Sequence, residues 1–175
     1  MDEHLIIDTN IIFRENQTFV SRSTDELFAG KRVVMFGLPG AFTPTCSAFQ
    51  LPGYEENFVK FKQYGVEEIY CVSVNDAFVM NAWAKDQNIN NVKLIPDGNG
   101  DITDGLGMLV RKENLGFGWR SWRYSCLIDD KKVIKLFEEE GKDDNVKDDP
   151  YAVSDPYTML SYLAHTTGIP LLGTQ

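Results

Sequence analysis

A short apolar strand followed at once by a well-signalled helix start constrains this chain more than any other feature. Lys31 to Gly37 is apolar, rich in β-branched residues, and broken by Pro39-Gly40. Thr43 then stands as a helix N-cap, Pro44 at the first helical position and Cys46 at the third. Phe49, Tyr54, Phe58 and Phe61 supply an apolar side for a helix that runs to Gly65, with Pro52 expected to kink it by removing a donor near Ala48.

The same order continues down the chain. Ser23 to Gly30 reads as a short capped helix before the first strand. Val66 to Val74 is a second apolar strand without clean alternation, as expected where both faces are buried. Asp76 to Asn88 is a helix with Phe78, Val79, Ala82 and Trp83 inward, and Val92 to Ile95 is a third strand closed by the turn at residues 96–100. A glycine-rich loop (Gly105, Gly107, Gly116, Gly118) precedes a hairpin, residues 122–128 and 132–137, turning about Asp129-Asp130. Asp155-Pro156 opens a last helix, with Tyr157, Leu160 and Leu163 inward. An edge strand is expected through Ile11-Ile12-Phe13. Strands alternating with helices, then a hairpin and a terminal helix, predict an α/β fold of thioredoxin-like architecture, a central mixed β-sheet flanked by helices. At 175 residues the chain fits one domain, residues 1–175.

Composition narrows the function. Seventeen basic against 26 acidic residues give a charge of −9, which disfavours nucleic acid and anionic membrane as partners. The acidic opening Met1-Asp2-Glu3 is unlike a signal peptide, and no apolar run is long enough to span a bilayer, so a cytoplasmic protein is expected. Three widely spaced cysteines, Cys46, Cys71 and Cys126, do not form a disulfide framework. Two histidines and no Cys-x-x-Cys leave no expected metal site. The acidic run from Glu138 to Asp149 reads as a solvated loop without a binding role.

Cys46 is the residue with chemistry. In the first turn of a helix a thiol meets uncommitted amides and the positive end of the helix dipole, which favour the thiolate, the reactive form. A cysteine in an apolar chain can equally be a small buried hydrophobe, and spacing alone leaves both readings open.

The motif Pro39-x-x-x-Thr43-x-x-Cys46 matches a peroxiredoxin signature, and the stretch from Pro39 to Ser47 resembles the peroxiredoxin-5 (type II) subfamily. Residues 72–80 and 120–125 agree with it, and residues 95–100 and 153–160 are similar to the peroxidase half of bacterial peroxiredoxin–glutaredoxin fusions. The resemblance covers residues 24–163. It implies a peroxidase reducing hydrogen peroxide and alkyl hydroperoxides, with Cys46 as the peroxidatic thiol that passes through a sulfenic acid. It further implies that Thr43 orients the peroxide, Arg123 supplies a positive charge, and Pro39 shields the pocket, with the amides of Thr45 and Cys46 as further donors. No metal or organic cofactor is implied. A homodimer is implied near the site loops, to which Phe42, Trp83, Phe117 and Trp119 could contribute if they are not core residues. A redox-sensing or holdase scaffold using the same thiol stoichiometrically is the other functional class considered.

Strand alternation adds a check that does not depend on the resemblance. Arg123, Ser125 and Leu127 share one face, and Trp122, Tyr124, Cys126 and Ile128 the other, so Cys126 should point away from a site that contains Arg123. Plant type II enzymes place a second cysteine 25 residues after the first, where Cys71 stands here, which would make it a resolving cysteine. Its depth, three residues inside a strand ending at Val74, makes a buried strand residue the favoured reading, because disulfide geometry would require local unfolding. Recycling by glutathione with glutaredoxin in trans is therefore expected, with thioredoxin through a Cys46–Cys71 disulfide as the alternative.

Overall fold

The computed structural model describes residues 4–171. The element order is β1 (Asn10–Glu15), β2 (Thr18–Ser23), α1 (Thr24–Phe28), β3 (Arg32–Gly37), a π-helical turn (Cys46–Gln50), α2 (Leu51–Glu56), α3 (Phe58–Lys62), β4 (Glu68–Ser73), α4 (Ala77–Asp86) and β5 (Lys93–Pro96). It continues with α5 (Asp101–Gly105), β6 (Leu109–Arg111), a 3₁₀ turn (Glu113–Leu115), β7 (Trp119–Ser121), β8 (Tyr124–Asp129), β9 (Lys132–Glu138) and α6 (Pro156–Thr167).

Five strands form the central sheet in the order β5-β4-β3-β8-β9. β3, β4 and β5 run parallel, joined by helical crossovers, and β8 and β9 add antiparallel. Alternate residues feed two cores on opposite faces. Val34, Phe36, Ile69, Cys71 and Leu127 pack with the helix that follows Cys46 and with α6. Val33, Met35, Tyr70, Val72, Cys126 and Ile128 pack with α1, α5 and the β6–β7 ribbon. Tight packing leaves no room at Gly37, where an added Cβ would lie 2.2 Å from the Tyr124 ring. The β8–β9 hairpin turns at Asp130 and Lys131, both at positive φ, as a two-residue hairpin loop requires.

Several expectations change. Ile11 to Phe13 pairs with β2 in a separate hairpin instead of edging the main sheet. The glycine-rich stretch holds α5 and the β6–β7 ribbon. α5 escapes a sequence reading because Asp97 caps it from the preceding turn, accepting from the Ile102 and Thr103 amides at 3.2 and 2.8 Å. The inner face of α4 is Ala77, Met80 and Trp83, which leaves Phe78 and Ala82 outside. Phe78 instead meets Phe19 edge-on, with the Arg14 guanidinium over both rings. Tyr157 also faces outward, α6 burying Met159, Leu160 and Leu163. The acidic run does not simply solvate itself: Asp144 accepts from the backbone and side chain of Arg111, and Asp149 binds Arg123.

Candidate active site

The first helical hydrogen bond after β3 runs from Ser47 N–H to Thr43 C=O, so Pro44 begins the helix and Cys46 lies in its first turn. The amides of Thr45 and Cys46 precede that bond and belong to the donors a helix start leaves free. Thr43 does not cap through its side chain. Its hydroxyl turns back and donates to Gly40 C=O at 2.7 Å. Pro52 acts more gently than a kink. In α geometry its ring would press on the Ala48 carbonyl, and the chain widens to a π turn in which Leu51 N–H reaches Cys46 C=O. Phe49, inside that turn, is swung outward and exposed.

The Pro39–Thr43 turn is held on both sides. Asn75 accepts the Ala41 amide at 3.0 Å and the Ser73 hydroxyl at 2.6 Å, tying the turn to the end of β4. Arg120 Nη1 donates to the Pro39 carbonyl at 3.3 Å. It packs so closely that a Cβ at Gly40 would lie 2.5 Å from it. Trp83 Nε1 donates to Ser47 Oγ at 3.0 Å, pinning the helix start from the core side.

Arg123 leaves the bend before β8 and is buried beside the thiol. Its Nη1 lies 3.4 Å from Cys46 Sγ, across 77 residues of sequence. Nη1 also donates to Gln50 Oε1 at 2.5 Å, and Nη2 donates to both Asp149 oxygens, at 2.7 and 2.9 Å. Tyr151 lies against the guanidinium, 5.8 Å from its ring centroid. Burial works against the arginine's charge, but the facing Cys46 sulfur and the Asp149 carboxylate outweigh it and hold the guanidinium above its ordinary value. Arg120 and the buried Lys112 lie within electrostatic reach of the same sulfur, and burial lowers both. A chain of net charge −9 thus gathers three cations around one thiol.

Comparison with known proteins fits this geometry. The redoxin family model matches residues 12–153. A peroxiredoxin of Rhizobium etli is 59% identical over 142 residues, 81% of this chain and 79% of the relative. The chain belongs to the peroxiredoxin family.

Peroxiredoxin crystal structures superpose closely. The Plasmodium falciparum antioxidant protein, a 1-Cys peroxiredoxin, matches with a TM-score of 0.88 and 37% identity, over 94% of this chain and 99% of that one. Reduced Prx3 of Vibrio vulnificus in complex with hydrogen peroxide matches with a TM-score of 0.83 and 37% identity, over 93% and 99%. The fold is the redoxin, thioredoxin-like one, and the activity that of a peroxidase.

Within this peroxiredoxin the structure brings Pro39, Thr43, Cys46 and Arg123 to one end of β3. Cys126 lies in the opposite core, as alternation requires, and burial raises its thiol to about 12. Cys71 stays inside β4, two residues from its end at Ser73, paired with Phe36 and Leu94. It shares the Cys46 side of the sheet, and burial, with the Cys46 charge adding to it, pushes its thiol up. All three thiols are free.

Sequence reasoning missed Gln50, Asp149, Lys112 and Arg120. Gln50 stands one helical turn after Cys46, a spacing that could have suggested a shared face. The other three reach the site from loops and a short ribbon, where no periodicity announces direction.

Proposed function

We propose that Cys46 is the peroxidatic thiol of an enzyme that reduces hydrogen peroxide and alkyl hydroperoxides. The observation that carries the reading is the 3.4 Å contact between Arg123 Nη1 and Cys46 Sγ at the start of a helix. The thiolate attacks the terminal peroxide oxygen. An S–O bond forms, the O–O bond breaks, and the displaced oxygen leaves as water or alcohol once protonated. Arg123 and the first-turn amides offer donors to the charge that builds on that oxygen. Thr43 has a defined part: its proton is committed to Gly40, so its lone pairs are left to accept the peroxide O–H. Buried Pro39 shields the pocket from bulk water.

Recycling is proposed to use one protein cysteine. Cys71 is wholly buried and its thiol is pushed up, which makes it a poor nucleophile. A glutathione thiolate would attack the Cys46 sulfenic acid and displace its oxygen as water. Glutaredoxin or a second glutathione would then release the thiol from the mixed disulfide. Because Cys46 is itself buried, the first helical turn would open to admit a thiol larger than a peroxide. No metal or organic cofactor is invoked, and a reducing cytoplasm suits three free thiols. For the proposed homodimer, Phe42 and Trp119 are exposed and Phe117 half-buried, whereas Trp83 is a core residue and contributes none of its surface.

The test is turnover of the wild type, Cys46→Ser, Cys71→Ser and Cys126→Ser with glutathione plus glutaredoxin and with thioredoxin. Only Cys46→Ser should abolish peroxide consumption. Full activity in Cys46→Ser would overturn the thiol assignment, and loss in Cys71→Ser would favour the thioredoxin route.

A further inference from the structure

Arg123 is held by more than the thiol it faces. Of its guanidinium nitrogens, Nη1 is shared between Cys46 Sγ and Gln50 Oε1, Nη2 gives both of its contacts to Asp149, and Nε is buried without a hydrogen-bond partner. The Asp149 side chain is 45% exposed, whereas that of Arg123 is 1% exposed. The carboxylate therefore reaches inward from the surface and grips one edge of a buried cation.

The segment carrying Asp149 is itself anchored to the cysteine's helix. Glu139, at the head of the loop, accepts the amides of Ala152, Val153 and Ser154 and the Ser154 hydroxyl. The Ser154 carbonyl in turn accepts the Tyr54 hydroxyl at 2.7 Å and Gln50 Nε2 at 3.4 Å. Asp149 and Gln50 thus hold the guanidinium from two sides, and a chain of hydrogen bonds fixes their spacing.

We infer that Asp149 is a positioning residue of the peroxide reaction, its carboxylate fixing the rotation of Arg123 so that Nη1 points at Cys46. Compensating the buried charge calls only for a nearby carboxylate, not for both of its oxygens on one arm of the fork. Thiolate stabilisation gives no reason for the contact, because a carboxylate behind the arginine offsets the charge the sulfur feels. Aim is what remains: a guanidinium is a planar fork whose donors work only when turned to the reacting atoms, and Asp149 takes both contacts of one fork arm.

The two effects of Asp149 have opposite signs, and that separates them by experiment. Asp149→Ala and Asp149→Asn, in the full chain, are reduced and mixed with hydrogen peroxide in stopped flow, and Cys46 ionisation is followed by thiolate absorbance against pH. The second-order rate constant should fall by about 10- to 100-fold in Asp149→Ala, the scale of a misplaced catalytic group. It should fall less in Asp149→Asn, whose amide oxygen still accepts from Nη2. The ionisation midpoint should stay or move to lower pH, because a negative charge has gone. A rate within twofold of wild type in both variants would overturn the inference. So would a slower reaction with the midpoint moved to higher pH, the mark of an arginine that has left the thiol altogether. Should Asp149→Ala not fold, Asp149→Asn is read alone against the same two outcomes. The inference rests on Cys46 as the peroxidatic thiol. Failure of that reading appears as activity in Cys46→Ser, whereas failure here appears only in the Asp149 variants.

Discussion

Arg123→Met removes the cation while keeping an unbranched, apolar side chain of similar length in the core. At 3.4 Å and an effective dielectric of about 20, a full charge pair would attract by about 5 kcal/mol, an upper figure. A net charge-assisted hydrogen bond contributes about 1.5–3 kcal/mol, and Arg120 and Lys112 still supply part of the field after the change. The expected loss is therefore about 2–3 kcal/mol, or about 30- to 150-fold in the rate of Cys46 with hydrogen peroxide. Ionisation of Cys46 in the variant should lie at higher pH than in the wild type, because a positive neighbour has been withdrawn. Asp149, left without its partner, is exposed enough to rehydrate, but Gln50 Oε1 loses its 2.5 Å donor inside the protein. A melting curve beside the kinetics separates this structural cost from the chemical one. Stopped-flow oxidation of the reduced variant, run across the pH range, is the assay. A rate within threefold of wild type, with the ionisation midpoint unmoved, would refute the claim that Arg123 stabilises the thiolate and the departing oxygen. Arg123→Lys should fall between the two, since it keeps the charge without the planar fork that reaches Cys46, Gln50 and Asp149 together.

Other consequences of the structure can be measured directly. Gly37→Ala should destabilise the fold by about 1–3 kcal/mol in a chemical denaturation series, because its Cβ would lie 2.2 Å from Tyr124 Cε1 in the sheet. Burial works to raise the Glu139 carboxyl, but the Ser154 hydroxyl and the amides of residues 152–154 outweigh it and hold it below its ordinary value of 4.5. A depressed carboxyl stabilises the fold fully above that value and loses the contribution as pH falls through its folded value. Glu139→Gln should therefore be less stable at neutral pH and show a flatter acid limb in a plot of stability against pH. Cys71→Ala should cost about 1–2 kcal/mol of stability through the small space it leaves, with peroxidase turnover by glutathione and glutaredoxin unchanged.

Much of the fold was readable because its signals are local. The strand from Arg32 to Gly37, the helix start at Pro44, and the β8–β9 hairpin, whose turn falls one residue later than the expected Asp129-Asp130, each declare themselves within a few residues. Period-two alternation even placed Arg123 and Leu127 on one side of the sheet and Cys126 on the other, since a strand allows a side chain only two directions. Helix faces were less secure. The apolar residues of α4 admit more than one inward arc, and packing chose Ala77, Met80 and Trp83 while turning Phe78 out to meet Phe19. α5 was invisible because its cap, Asp97, stands apart from the helix it closes.

By itself, then, the sequence determined which thiol sits at a helix start, which strand face turns toward it, and the family to which such a pattern belongs. The first two depend on short-range geometry, a proline and a period of two, and the third on a motif resemblance spread along the chain. Only the tertiary structure decided how the thiol is surrounded. Arg123 was expected there, but its hold by Gln50 and Asp149 was not: Asp149 comes from a loop whose acidic composition suggested only solvent, and Lys112 and Arg120 from a ribbon not foreseen at all. Such contacts have no periodicity to read. They exist because packing two cores against one sheet closes those loops over the end of β3, and because a cation buried there gains most by facing a sulfur and a carboxylate.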